Sequence, residues 1–143
     1  MRLVSLIVME PGSAWPGHVG DSENVVTVIE REEGLLQRIR ERLDSLRRRG
    51  EHVRIAVLAC SEATDVASVA RRAELAHELL LAVAVAGFGR LVLTAAERAS
   101  MQLRRNLLSL ADSLTHAHSG TAVTVSVRLP EATVSASYCS GRR

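Results

Sequence analysis

The sequence predicts an α/β domain with a mixed, mostly parallel sheet, one antiparallel N-terminal strand and helices packed on the sheet faces. The main observation is the stretch 52–95, where an apolar strand, a polar loop, a long helix and a second apolar strand follow one another. Two strands joined in this way run parallel, with a right-handed crossover. The element order ββαβαβαβ is typical of α/β folds. The length of 143 residues favours a single domain over 1–143, with a frayed tail at 140–143.

Two strands are expected before the first helix. Residues 2–9 and 25–30 are rich in aliphatic and β-branched residues, which is typical of strands. The segment 10–24 is rich in Pro, Gly, Ser and Asp, so it predicts a loop. Because this loop has no helical pattern, we expect it to return the chain as an antiparallel neighbour. The loop around Trp15 and His18 would then lie at the end of the sheet opposite the other loops.

The first helix is predicted from Glu32 to Arg49, with its leucines and isoleucine on one face. Acidic residues at its start and arginines at its end suit the helix dipole, and Gly50 is a natural stop. The third strand, Val53–Ala59, is nearly continuously apolar, as expected of a strand covered on both faces.

The second helix is predicted to start at Thr64 or Asp65, either of which can cap it, and to run to Ala86 before Gly87. Its second half is apolar all round, so it must be covered on every side. Since one sheet cannot do this, another helix or a second subunit must contribute. We therefore expect an interface formed by Leu79, Leu80, Leu81, Val83 and Val85.

The C-terminal third repeats the pattern. A fourth strand is predicted at Leu91–Thr94 and a third helix from Glu97 to His118. The segment Thr121–Leu129 alternates strictly between apolar and polar residues, which predicts a fifth strand near a sheet edge. Residues 132–139 alternate again and predict a short sixth strand.

The composition excludes several chemistries. The chain has no lysine, which rules out Schiff-base, pyridoxal-phosphate and P-loop chemistry, and its 18 arginines favour a high-GC genome. Aromatic residues make up 2%, which argues against base-stacking surfaces. The net charge of +2 implies no strong electrostatic partner. We expect no cofactor.

The cysteines and apolar runs predict a location. Cys60 and Cys139 have neither metal-ligand spacing nor a disulfide pattern, so a reducing cytoplasm is expected. The N-terminal apolar run ends at Glu10, which is too early for a signal peptide. The run Leu79–Gly87 is too short to cross a membrane, and no membrane association is expected.

A ligand site, if there is one, is expected at the carboxyl ends of the parallel strands. Each candidate also has a structural explanation: Cys60 as a buried inert thiol, Asp65 as a helix cap, Arg98 as a surface residue. The carboxylates Glu30, Asp65 and Glu97 could gather around Mg²⁺, but no acid lies within the first strand or in the middle of any predicted strand, so no metal site is expected. The candidate ligand-binding residues are Cys60, Ser61, Thr64, Asp65, Thr94, Glu97, Arg98 and Ser100.

The histidines do not form a recognisable metal motif. His116 and His118 are two residues apart, so on a helix they point in different directions and cannot chelate as an i, i+4 pair would. His77 lies in the middle of the second helix and is interpreted as structural or interfacial.

Three functions remain open. The first is a non-enzymatic interaction or regulatory domain that self-associates, or binds a protein partner, through the apolar half of the second helix. The second is a small-molecule, anion-binding or hydrolytic domain that uses the carboxyl-end loops. The third is a nucleic-acid binder that uses the arginine clusters 47–49, 71–72 and 104–105; nearby acids favour solvated helix faces instead.

Overall fold

A computed structural model of the chain describes residues 2–16, 25–30, 34–85, 89–96, 98–118, 122–129 and 136–139. It confirms the α/β class and the order of the predicted elements. The strands are β1 (Arg2–Met9), β2 (Val25–Glu30), β3 (Glu51–Cys60), β4 (Gly89–Ala95), β5 (Val123–Arg128) and β6 (Ala136–Cys139). The helices are α1 (Leu35–Arg48), α2 (Val66–Val85) and α3 (Met101–Ala117).

The sheet has six strands in the order β2-β1-β3-β4-β5-β6. The prediction of an antiparallel N-terminal strand is wrong, because β1 is parallel to both β2 and β3. The antiparallel strand is β6, which pairs with β5 at the other edge. The segment between Met9 and Val25 is long enough for a parallel connection, which needs about a dozen residues but no helix.

Because β1 is parallel to β3, the loop after β1 starts at the end of the sheet opposite to the one predicted. The chain leaves β1 at the same end at which it leaves β3 and β4, because the three strands are parallel. The segment that contains Trp15 therefore starts at the carboxyl end of the sheet, and its expected position at the opposite end is wrong. Trp15 is 56% exposed, and His18 lies outside the described residues.

The helices that the structure describes all pack on one face of the sheet, rather than on both. Residues of α1, α2 and α3 share one core cluster with a single face of the strands, and α2 lies between the other two helices. The three crossovers advance across the sheet in one direction, so right-handed connections put their helices on the same side. A smaller cluster of Ile7, Val57 and Val92 lies on the other face.

The cover of the apolar half of α2 comes from the chain itself. Leu79, Leu80 and Val83, which were expected at an interface, are instead buried in the core, so their side chains cannot contact a partner. Leu81 is 44% exposed, and the side chain of Val85 lies outside the described part of the chain. Of the two sources of cover that the sequence left open, the structure shows the neighbouring helices, which pack on α2 together with the sheet.

The helix ends follow local backbone chemistry. Gly34, with a φ of 74°, precedes α1, which begins at Leu35; the predicted start at Glu32 lies outside the described residues. Gly50, also at a φ of 74°, follows α1 as predicted. The third helix begins at Met101 rather than Glu97, since the Ser100 side chain caps it. None of the helices within the described ranges is long and apolar enough to span a bilayer.

Candidate functional site

The strand order places a natural crevice between β1 and β3. The chain leaves β1 towards β2 and leaves β3 towards β4, which lie on opposite sides in the sheet. Open α/β sheets bind ligands beyond the carboxyl ends of the strands at such a point of reversal. Here Glu10 follows β1 directly and Ser61 follows β3 directly. The candidate site is therefore centred on these two residues.

A buried ion pair fills this crevice. The Arg72 Nε donates to Glu10 Oε2 at 3.0 Å, and its Nη2 donates to Glu10 Oε1 at 2.8 Å. The Arg72 side chain is fully buried, and Glu10 is 7% exposed. A two-pronged arginine–carboxylate contact of this kind is both strong and geometrically specific.

The remaining contacts of the ion pair tie four segments together. Arg72 in α2 donates to Asn106 Oδ1 in α3 at 2.7 Å and to the carbonyl oxygens of Ser61 and Ala63 after β3. Glu10 accepts from the Ser61 backbone N–H at 2.8 Å and from its hydroxyl at 3.3 Å. We call Glu10, Ser61, Arg72 and Asn106 the carboxyl-end clamp. It joins the loops after β1 and β3 to two helices.

The electrostatics of the clamp favour a permanent ion pair. Burial by itself opposes the charged form of Arg72, but its hydrogen bonds to Glu10 and the nearby negative charge raise its pKa above the ordinary value. Two buried charges are tolerated only when paired and hydrogen-bonded, as these are. The groups at the crevice therefore bind each other.

Cys60 is an inert thiol in this setting. It ends β3, is free and buried, and donates to the Leu58 carbonyl oxygen at 3.6 Å. Burial, and then the Glu10 carboxylate, raise the pKa of Cys60 far above its usual range, although Arg72 partly opposes this. Since the thiolate is the nucleophile, these surroundings oppose covalent catalysis by Cys60.

Two of the candidate ligand-binding residues, Asp65 and Ser100, cap helices. Asp65 accepts from the Ser68 backbone N–H at 3.2 Å and from its hydroxyl at 2.7 Å, at the start of α2. These hydrogen bonds lower the pKa of Asp65, which is exposed. Ser100 accepts from the Leu103 N–H at 3.1 Å at the start of α3. Both side chains stabilise helix ends that would otherwise have unpaired donors.

The loops after β3 and β4 are also joined to each other. The Ser100 N–H donates to Glu62 Oε1 at 3.2 Å, and the Thr64 hydroxyl donates to Gln102 Oε1 at 3.3 Å. Thr94 is buried at the end of β4, and Arg98 is exposed in the following turn. The structure thus brings together Cys60, Ser61, Thr64, Asp65 and Ser100 near the clamp; Glu97 lies outside the described residues.

The centre of the site was missed from the sequence. Glu10 looked like the end of an apolar run, Arg72 like part of a basic cluster, and Asn106 like an ordinary helix residue. The available signal was positional: an acid directly after a central strand and an arginine nearly two turns into the next-but-one helix. It becomes readable only when β1 is placed beside β3.

The arginine clusters are divided among internal partners. Arg72 is buried in the clamp, so it leaves the 71–72 pair as a single surface arginine. Arg48 contacts Asp44 at 3.1 Å, and Arg49 contacts Glu51 at 3.6 Å. This arrangement lowers the positive potential that a nucleic-acid surface would need.

A groove lies at the opposite end of the sheet. It has a volume of about 570 Å³ and is formed by α1, the start of β3 and the second half of α2. Its lining combines apolar side chains such as Leu43 and Leu81 with charged side chains of both signs. The ion pair between Arg40 and Glu78, at 3.2 Å, joins the two helices across it. We call this the amino-end groove.

Within the described ranges, no three histidine, cysteine or acidic side chains converge as metal ligands. The side chain of Glu30 and the whole of Glu97 lie outside those ranges, so the carboxylate arrangement considered for Mg²⁺ is not described. Comparison with protein-family models found no match, and comparisons with curated proteins and with solved structures found none either.

Proposed function

We propose that this chain is a non-catalytic interaction domain that pairs with a second copy of itself through the amino-end groove. The observation that carries the proposal is the exposure of Leu81 at the groove, on a helix segment whose other described leucines are buried. Leu81, Leu43 and Ala82 line the same groove, and apolar side chains grouped at an accessible concave surface are typical of interaction sites.

The candidate enzymatic residues support this choice by their bonding. Asp65 and Ser100 cap helices, Glu10 binds Arg72, and Cys60 is held as a thiol. A ligand at the crevice would have to replace strong internal contacts of the clamp, which costs free energy. The same hydrogen bonds and ion pair make the domain rigid, which suits a domain that binds a partner at the amino-end groove.

The charge pattern of α1 supports pairing between two copies. On its exposed side, Arg40 and Asp44 are one turn apart, and Gln37 and Arg47 lie beyond them. In a symmetric dimer, two α1 helices can pack antiparallel with the two-fold axis passing near residue 42. Arg40 of each copy then lies opposite Asp44 of the other. Symmetric dimers use one surface twice, so a self-complementary pattern is what they require.

The internal ion pairs do not prevent this exchange. Arg40 and Asp44 are both more than half exposed in their present ion pairs. Exposed pairs are worth about 0–1 kcal/mol, so changing partners is cheap. A standard interface buries about 800 Å² per partner. Because the groove is only part of such an area, we expect a concentration-dependent dimer.

Sedimentation equilibrium tests the proposal. The natural chain should show a monomer–dimer equilibrium, and Leu81→Glu should shift it to monomer because a carboxylate enters the apolar contact. Val66→Glu is the matched control, since Val66 is 88% exposed at the distant start of the same helix. A monomer at all concentrations, or equal behaviour of both variants, would contradict the proposal.

A charge swap tests the orientation of the pairing. Arg40→Glu places like charges opposite each other and should weaken the dimer, whereas the double variant Arg40→Glu with Asp44→Arg should restore it. Higher salt should weaken the natural dimer in part, since exposed charges are screened within about 10 Å at 0.1 M. A double variant no better than the single one would reject this orientation.

The proposal includes a reducing, cytoplasmic setting. A free, buried Cys60 is what such a compartment permits.

A further inference from the structure

An imidazole pair joins the middle of α2 to the end of α3. His77 is exposed on α2, and His118 is the half-buried residue that ends α3. Their ring centroids are 4.9 Å apart, with the ring planes inclined by 40°. The sequence analysis excluded His116 as a chelating partner of His118, and the fold places His118 beside a residue of another helix.

We propose that His77 and His118 form a binding site for a divalent transition-metal ion of the zinc, nickel and copper group. Imidazole nitrogen is a preferred ligand of these ions, whereas Mg²⁺ and Ca²⁺ prefer oxygen. Two histidines supply two coordination positions, and water completes the shell.

The spacing of the two rings suits a shared ion. With metal–nitrogen distances of about 2.0–2.1 Å, two imidazoles on one tetrahedral or octahedral ion have ring centres about 4.5–5.2 Å apart. The observed 4.9 Å lies within this range, so the helices need not move.

The backbone and the protonation state also favour binding. The backbone N–H of His118 donates to the Leu114 carbonyl oxygen at 3.1 Å, which fixes the backbone of this ligand relative to α3. Burial, and then the nearby His77, lower the pKa of His118, which favours its neutral form. Neutral imidazole is the form that binds metal.

Isothermal titration calorimetry with Zn²⁺ or Ni²⁺ alone tests the site on the full chain without an affinity tag. We expect one ion per chain, no binding of Mg²⁺, and weaker binding in acid because protons compete. His77→Ala should weaken binding about tenfold or more, since even residues that only support metal ligands cost 10–100-fold when changed. His77 is exposed, so this variant should fold.

His116→Ala is the matched control. His116 lies two residues from His118, but its Nδ1 contacts the Asp112 carbonyl oxygen of its own helix at 2.9 Å. The His116→Ala variant should therefore bind Zn²⁺ or Ni²⁺ as tightly as the natural chain does. His118→Gln provides a second test with a side chain of similar size, and its melting temperature should no longer rise with Zn²⁺. Absence of binding, or equal binding by His77→Ala and the natural chain, would overturn the proposal.

Discussion

At the scale of single residues, the most informative contact is the buried pair of Glu10 and Arg72. It lies where an open α/β sheet offers a ligand crevice, and its partners are all protein groups. A guanidinium here satisfies the end of a central strand, a loop carbonyl and a neighbouring helix together. The clamp therefore fixes the relative positions of segments that are far apart in sequence.

Removal of one charge from the clamp should be costly. Arg72→Met should lower the free energy of unfolding by about 3–5 kcal/mol, because it leaves the Glu10 carboxylate buried without its cation. The loss should be partly recovered by adding Glu10→Gln, which removes the unpaired charge. Urea unfolding followed by circular dichroism measures both differences.

The neighbouring arginine provides the control for this substitution. Arg71 is exposed, so Arg71→Met should change the stability by no more than about 0.5 kcal/mol. Equal losses at positions 71 and 72 would show that the clamp adds nothing beyond general helix effects.

At the scale of elements, α2 and β4 approach each other closely at Gly89. Gly89 begins β4, and a Cβ atom built on it would overlap the carbonyl group of Val83. Because the obstacle is backbone, no side-chain rotation can relieve it. Glycine is required here by space rather than by an unusual φ.

Gly89→Ala should therefore destabilise the chain by about 1–3 kcal/mol, as expected for overpacking. Gly50→Asn is a useful comparison, because Gly50 has open space and needs only a left-handed backbone, which asparagine tolerates. Thermal unfolding should show a clearly larger loss for Gly89→Ala. A larger loss for Gly50→Asn would mean that the two elements can separate cheaply.

At the scale of the whole molecule, the imidazole pair makes stability depend on pH. The pKa of His118 is lowered from 6.5 by burial and by His77, so the unfolded chain takes up a proton at a higher pH than the folded chain. The contribution of His118 to the free energy of unfolding is therefore fully present above its unfolded-state pKa of 6.5. It is lost as the pH falls below that value, because the unfolded state then binds more protons.

His118→Gln should flatten this dependence. Urea unfolding at about pH 7.5, 6.0 and 5.0, with a chelator present, should show a smaller loss in this variant than in the natural chain. His116→Gln should retain the natural slope. The same slope in all three proteins would assign the acid sensitivity to other groups.

The class of fold and the positions of its elements could be predicted because they depend on local pattern. Strict alternation in β5, the apolar run of β3 and the stop at Gly50 are each visible in a few residues. The direction of β1 could not be predicted in this way. A loop without helical pattern permits both directions, and the choice depends on which neighbours cover the strand.

The candidate site was predictable only in part for the same reason. The residues at the ends of β3 and β4 were found because consecutive parallel strands share an end. Glu10 required the correct place of β1, and Arg72 required the knowledge that α2 packs above the reversal point. Predicting the contact between His77 and His118 required the positions of α2 and α3 along each other, and hydrophobic periodicity in the sequence does not give those positions.

The position of β1 also has a consequence for synthesis. This strand is made first but lies inside the sheet, between strands that are made later. Glu10 meets its guanidinium only 62 residues further along the chain. Until β2 and β3 have been made, β1 is an unpaired apolar strand, and until Arg72 leaves the ribosome the Glu10 carboxylate has no cation. The early chain is thus the stage at which a chaperone has most to protect.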